Sequence, residues 1–444
     1  MLGKSGIKYA GALALVALLG LPSAEAGLKQ LEIKGNVSFA GHAIDFGKTT
    51  DSGVMLDADL DFKMKFSQDV SARIDLEMDD AVAGDDLWGG KGPATAAAAT
   101  ITPNRYSIGV DQAYFKLNDF LFRNFNLTVG KQNMNVSLRD NKNMSWAFGD
   151  SIAVVGTYAT RDMDIKGYYL KLTEDSLSST GSNDGDETVI GAYVEYWLND
   201  DSLVAGYVNY KSAQDDDLTT PTNYFDNLVH YGIGLDYFIG ESLEVYGEVA
   251  GQSISDDSSP TATTLDGSAF QLTLGGEYAF TDYDMKPVVG LEYYLQSGTD
   301  AGGDPSWQNV AGGLASSDTN AIFMEANGKV GRDLNAGVGY VTLGGPHATS
   351  GINGYSVIRL NGAISPTKAT KVGLGLHFFT NEDSGGFNND DSIGTELDLY
   401  ASWKYSQDVT FKGGFYLVSD PNVDSVAVDE DDITGVVISS ALTF

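Results

Sequence analysis

Residues 56–66 read Leu56-Asp57-Ala58-Asp59-Leu60-Asp61-Phe62-Lys63-Met64-Lys65-Phe66, apolar and charged side chains in strict alternation. A period of two is that of a β-strand, whose successive side chains leave opposite faces of the sheet. Ser67-Gln68-Asp69 then supplies a turn, and Val70, Ala72, Ile74, Leu76 and Met78 alternate with Ser71, Arg73, Asp75, Glu77 and Asp79. Upstream, Leu31, Ile33, Gly35, Val37, Phe39, Gly41 and Ala43 alternate with Glu32, Lys34, Asn36, Ser38 and His42. Each strand so read has one apolar and one wet face.

The same unit recurs to the end of the chain. Tight turns are expected at 198–201, 240–242, 331–335, 366–370 and 406–408, and they alternate with long polar segments such as 81–107, 212–227, 298–320 and 381–392. Short turns on one rim and long loops on the other are the pattern of a transmembrane β-barrel. A soluble sandwich or solenoid could also show alternation, but neither requires alternating connection lengths throughout. The expected fold is therefore all-β, a transmembrane antiparallel up-and-down barrel. About twenty strands are read, and the even-number rule of bacterial barrels gives 16, 18 or 20. No linker or repeat marks a second domain over 27–444.

Composition agrees. Fifty-three glycines, 23 tyrosines and 20 phenylalanines against 10 prolines suit strands and turns. The chain has no cysteine, so disulfides contribute nothing. Sixty-one acidic against 27 basic side chains give a net charge of −34, which repels nucleic acid. Residues 1–26 read as a cleaved export signal: Lys4 and Lys8, an apolar core from Gly11 to Leu21, and Ala24-Glu25-Ala26 as the cleavage site. Elsewhere no apolar run reaches the ~18 residues of a spanning helix.

Lipid satisfies no backbone donor, so closure assigns the apolar set to lipid and the polar set to a lumen. The pore-lining residues expected are Asp57, Asp59, Asp61, Lys63, Lys65, Arg73, Asp75, Glu77, Lys116, Glu396 and Asp398, with Glu244, Glu248, Glu277, Glu292, Glu325, Lys329, Arg359, Lys404 and Lys412 among others on the same parity. So many charges suit a water-filled interior, because an unpaired buried charge costs several kcal/mol. Their acidic excess implies preference for cations, and facing acidic and basic rows would set a transverse field. The same charges could equally serve only to keep the lumen wet. Aromatic girdles are expected from Tyr196, Trp197, Tyr237, Phe238, Tyr278, Phe280, Trp403, Tyr405 and Phe444 near strand ends.

Two segments carry a family resemblance. Val436, Ile438, Leu442 and Phe444 alternate to a carboxyl-terminal aromatic, which resembles the end of Gram-negative outer-membrane proteins read by the barrel assembly machinery. Gln112-Ala113-Tyr114-Phe115 followed by Val129-Gly130-Lys131-Gln132 resembles the paired segments of porins in the phosphate-selective, carbohydrate-selective and alginate-export groups, over residues 111–162. Lys131 stands where those groups usually have Arg, keeping the charge without the bidentate fork. The resemblance implies that the segment after that strand folds inward, placing Lys131, Arg139, Asp140 and Lys142 at a constriction, although 133–150 also reads as an external loop. It implies a Gram-negative outer-membrane location, contact with lipid and lipopolysaccharide, small hydrophilic solutes as cargo, and a homotrimer as one assembly.

Catalytic and metal chemistry find no motif. His42, His230, His347 and His377 have no metal spacing, and no nucleophile elbow, Walker loop or dinucleotide fingerprint occurs, so neither cofactor nor metal is expected. Acidic clusters at 183–187, 215–217, 388–391 and 429–432 fall in expected external loops, where they would be solvated or bind divalent cations bridging lipopolysaccharide phosphates. The leading expectation is a passive channel with modest cation preference. A barrel sheath around an electron-carrying or surface partner is the alternative, and an outer-membrane enzyme with a lone Ser or Asp nucleophile is a third.

Overall fold

A computed structural model describes residues 27–45, 50–79, 107–135, 147–173, 187–213, 227–255, 267–297, 324–325, 341–342, 355–381, 392–419 and 432–444. The leader at 1–26, the turn at 331–335 and nearly all of the acidic clusters lie outside them. The alternating segments become β1 (Gln30–Asp45), β2 (Thr50–Lys65), β3 (Val70–Asp79), β4 (Ser107–Leu117), β5 (Phe125–Asn135), β6 (Ala147–Ala159) and β7 (Met163–Thr173). They continue as β8 (Glu187–Trp197), β9 (Leu203–Ala213), β10 (Asn227–Ile239), β11 (Leu243–Ser255), β12 (Gly267–Ala279) and β13 (Val288–Gln296). After two short pieces, β14 (Met324–Glu325) and β15 (Val341–Thr342), come β16 (Tyr355–Thr367), β17 (Thr370–Asn381), β18 (Ser392–Lys404), β19 (Val409–Ser419) and β20 (Ile433–Thr443).

Eighteen of these form one antiparallel sheet in which each strand pairs with its sequence neighbour, and β1 pairs with β20 from Asn36 opposite Thr443 to Asp45 opposite Thr434. The sheet is a closed up-and-down barrel within the expected strand range. β13 pairs directly with β16, while β14 and β15 make a two-residue parallel ladder of their own. Met324–Glu325 and Val341–Thr342 are therefore not in the eighteen-stranded sheet, and Lys329 lies outside the described residues. Period two is necessary for a wall strand, but a place in the register decides.

One rim carries the short connections. Ser67 Oγ accepts from Asp69 N at 3.1 Å and Val70 N at 3.0 Å, and Asn199 Oδ1 accepts from Asp201 N at 2.9 Å and Ser202 N at 2.8 Å. Such side-chain acceptors fix a turn locally. Gly240 has φ 65°, and Ser406 Oγ repeats the Ser67 arrangement for Asp408 and Val409. The connections at 118–124 and 280–287 are longer members of this rim.

Burial is inverted relative to a soluble protein. Arg359, His377, Glu396 and Asp398 have no exposure, whereas Ile152, Ile233 and Leu291 are 61%, 60% and 55% exposed. Burying each such apolar side chain is worth roughly 1.5–3 kcal/mol, so a girth of them requires an apolar surround. Aromatics gather at the short-turn rim: Tyr278 and Phe280 rings lie 4.7 Å apart, Trp403 and Tyr405 5.3 Å, and Phe122 and Phe125 5.0 Å. Two expected girdle members are on the other side. Trp197 packs against the buried inner cluster, and Phe238 shares the inward parity of Asp236 and pairs with Glu244. Adjacent strand residues cannot both face lipid, so only Tyr196 and Tyr237 of those pairs do.

The seam is tight. Gly35 N donates to Phe444 O and Phe444 N to Gly35 O, both at 2.9 Å, and the Phe444 ring covers Gly35 where any Cβ would collide. Phe444→Ala should weaken the closed barrel by about 1 kcal/mol, less than the 3–5 of a fully buried Phe because the ring is 61% exposed; guanidinium unfolding from lipid bilayers measures it. Ile233→Arg, in mid-strand on the apolar face, should cost about 2–4 kcal/mol in the same measurement.

Candidate functional site

The inner face follows from register. Starting at Glu32, Lys34 and Asn36 of β1, direct cross-strand pairs carry the inward set to Lys63, Asp61 and Asp59 of β2, then to Arg73, Asp75 and Glu77 of β3. Lys65 and Lys116 continue it through Ser71. Asp57 holds the next position of the row, opposite Ser38, and its side chain is outside the described set. On this wall Arg73 is the hub: Nε donates to Asp61 Oδ1 at 2.8 Å, Nη2 to Asp75 Oδ2 at 2.8 Å and Nη1 to Gln112 Oε1 at 3.2 Å. Lys63 lies 3.2 Å from Asp61, and Lys34 2.8 Å from Glu32. Lys34 and Lys63 remain exposed, so water reaches this wall.

Further round the ring the wall is packed. Glu292 pairs across strands with Arg359, Arg359 with His377, and His377 with Glu396, one row over β13, β16, β17 and β18. An Arg359 Nη1–H donates to Glu292 Oε1, and the guanidinium lies 5.7 Å from the centre of the Tyr294 ring. His377 Nε2 is 3.2 Å from Asp398 Oδ2. Tyr246 of β11 reaches over Gly275 of β12 and donates its hydroxyl to Glu292 Oε2 at 2.7 Å. Gly275 is required there, since a Cβ would run into the Tyr246 ring. Similarly Tyr207 donates to Glu248 at 2.8 Å and lies edge-on to His230, and Tyr168 donates to Asn209.

The inward face is thus exposed at Lys34 and Lys63 on one wall and buried at Arg359, His377, Glu396 and Asp398 on another. On the latter, side chains lie against one another out of water, Arg359 donating to Glu292 and His377 set against Asp398. Sequence reading placed Arg359, Glu396 and Asp398 on the inner face but missed Lys166, Asn209, Lys211, His230 and His377. Their strands carry large apolar or aromatic residues on both faces: on β7, Asp164, Lys166, Tyr168 and Leu170 point inward and Ile165, Tyr169 and Lys171 outward. Only the register with β6 and β8 tells those faces apart.

The two segments behind the family resemblance are neighbours: Ala113 faces Lys131, Tyr114 faces Gly130 and Phe115 faces Val129. Gly130 has φ 136° and backs onto Ala113 O, a conformation and a clearance that exclude other residues. Lys131 is not on the lumen wall. It shares its face with Ala113 and the exposed Ile152, and its ammonium donates to Val110 O at 2.5 Å. Strand parity is the reason, because Gln132 and Met134 take the buried inward positions. Arg139, Asp140 and Lys142, the other expected constriction residues, lie outside the described residues. Among the described residues no group of His, Asp and Glu is arranged to hold a metal ion.

No protein-family model matches the sequence, and no curated protein matches it. Solved structures share the fold. OccD3 (OpdP) of Pseudomonas aeruginosa aligns over 95% of this chain and 94% of its own, with TM-score 0.54 and 11% identity. OccAB2 of Acinetobacter baumannii aligns over 94% and 99%, with TM-score 0.55 and 10% identity. OprD of Pseudomonas aeruginosa aligns over 95% and 98%, with TM-score 0.53 and 12% identity.

Arg359→Met should destabilise the barrel by about 3–5 kcal/mol, because it strands the Glu292 carboxylate, and adding Glu292→Gln should recover most of that loss. A double-mutant cycle of unfolding free energies reads the coupling.

Proposed function

We propose that the protein is an outer-membrane porin of a Gram-negative bacterium, a water-filled channel for passive diffusion of small hydrophilic solutes. The observation that carries this is the inverted burial of a closed eighteen-stranded wall, apolar outside and charged inside. Barrels of 16 to 18 strands are wide enough to leave an aqueous passage, whereas eight-stranded ones are filled by side chains. The solved structures of this shape are outer-membrane porins, which supports the reading at the level of fold. An export signal over 1–26 and assembly by the barrel assembly machinery belong to the same proposal, as does contact of the outer wall with lipid and lipopolysaccharide. No step of chemistry is assigned to the wall.

The wet wall over β1–β4 sets ion preference, since only charges that water reaches act on a passing ion at full strength. Its upper rows are acidic, with Asp59 directly opposite Glu77 and Asp61 opposite Asp75. Modest cation preference follows. Single-channel recording in planar bilayers under a salt gradient is the test. Stable steps with a cation-selective reversal potential are expected, and Asp59→Asn with Glu77→Gln should move that potential toward zero. Absence of conductance would refute the open channel and favour a sheath around a partner.

A further inference from the structure

Three glycines of the outer face, Gly156, Gly247 and Gly251, are roofed by the side chains of Phe125, Leu274 and Tyr231. Gly276 of β12 is not. It stands on the outward face between Val245 and Leu291. Among the described residues, the one atom from another strand within 4 Å of the place its Cβ would take is Glu244 O, at 3.1 Å. The neighbouring Gly275 is bare for an inward reason, the Tyr246 ring, so β12 shows its backbone to both sides here. The result on the outer side is an open trough of about 880 Å³. Leu274, Tyr278, Val289, Leu291, Ile358 and Leu360 wall it, and all six are exposed.

The trough has the length of one leaflet. Tyr278 faces Leu243, the first residue of β11, and Val289 is the second residue of β13, so the trough begins at the short-turn rim. It reaches Ile358 opposite Tyr293, four residues along β13 from Val289. At ~3.4 Å per residue this is about 14 Å, half of a ~30 Å hydrocarbon core. Across β12, β13 and β16 it is two strand spacings wide, about 10 Å. An acyl chain fits such a slot, whereas the convex wall of a second barrel does not enter it. Short turns of outer-membrane barrels are periplasmic, which fixes the leaflet as the one opposite the lipopolysaccharide.

At the rim the trough runs onto aromatic and charged groups. The Tyr278 ring lies 4.7 Å from Phe280, and Phe280 lies 6.0 Å from Tyr283. Tyr283 is exposed on a turn that also presents Asp282, Asp284 and Lys286 to solvent. Glu241 is exposed on the adjoining turn, where Ser242 O accepts from Ala279 N at 2.7 Å. Three carboxylates against one ammonium repel an anionic headgroup and attract a cationic group, and Lys286 is the cation that suits a phosphate. We propose that the outer wall around Gly276 seats one acyl chain of a periplasmic-leaflet glycerophospholipid, whose ammonium-bearing headgroup meets the 280–287 turn. This rests on the reading of the wall as membrane-spanning, and adds to it a lipid held at one place on the ring.

Phosphatidylethanolamine with a photoreactive diazirine in one acyl chain, mixed into bilayers holding the full chain, reports the seat as cross-links mapped by mass spectrometry. Adducts should concentrate on β12, β13 and β16 around Gly276. They should exceed several-fold those on Val194 and Phe411, which are exposed within three residues of the same rim on β8 and β19. Unlabelled phosphatidylethanolamine should suppress them about fivefold better than phosphatidylglycerol, the effect of one unit of charge near a surface. Leu291→Trp, which fills the trough from its wall, and Gly276→Leu should each bring the seat down to the level of Val194. If Gly276→Leu displaces Glu244 and fails to assemble, Leu291→Trp decides. Even labelling round the ring overturns the proposal, as does equal competition by the two lipids or labelling that survives Leu291→Trp. Adducts depleted at the trough relative to Val194 also overturn it, and mark contact between copies of the chain. Absence of adducts on the whole chain would instead overturn the membrane-spanning reading, and the seat with it.

Discussion

Inside a hydrocarbon layer each backbone N–H and C=O must be paired within the protein, and a sheet achieves this only by abolishing its edges. The pairing of β1 with β20 is the point at which this chain does so, with Gly35 and Phe444 exchanging both of their hydrogen bonds at the end of the seam. The other features depend on that closure. It converts the alternation of each strand into two surfaces, and it places the first strand and the last side by side.

The lumen meets the cost of charge in two ways. Along β1–β4, Arg73 bridges Asp61 and Asp75 while Lys34 and Lys63 stay in contact with water. Along β11–β18 the charges are withdrawn from water and held by neighbours, Tyr246 and Arg359 on Glu292, His377 against Asp398. The tyrosines are central to the second arrangement. Tyr246 crosses Gly275 and Tyr207 crosses Gly232 on the next strand, each bringing a hydroxyl to a carboxylate two strands away.

The outer surface shows the converse economy. Ile152, Ile233 and Leu291 would be a liability in water, and aromatic pairs such as Trp403 with Tyr405 mark the level at which the apolar band meets the polar boundary. Shape likeness to OccD3, OccAB2 and OprD at 10–12% identity follows from these constraints, since closure, alternation and turn placement specify a barrel without specifying which residues occupy it.

By itself the sequence determined the barrel. Asp57 to Lys65 alternating with Leu56 to Phe66, the Ser67 and Ser406 turns and the terminal run to Phe444 are local patterns, and a strand's period and a turn's acceptor are fixed within a few residues of chain. The polar parity of β1–β3, β18 and β19 was legible for the same reason. Three things were decided only by tertiary structure: the strand number, because β13 pairs directly with β16; the outward position of Lys131; and the inward position of His230, His377 and Lys211. Each depends on which residue lies opposite on a neighbouring strand, often far away in the chain. Register is settled by closing the whole ring, so no window of sequence contains it.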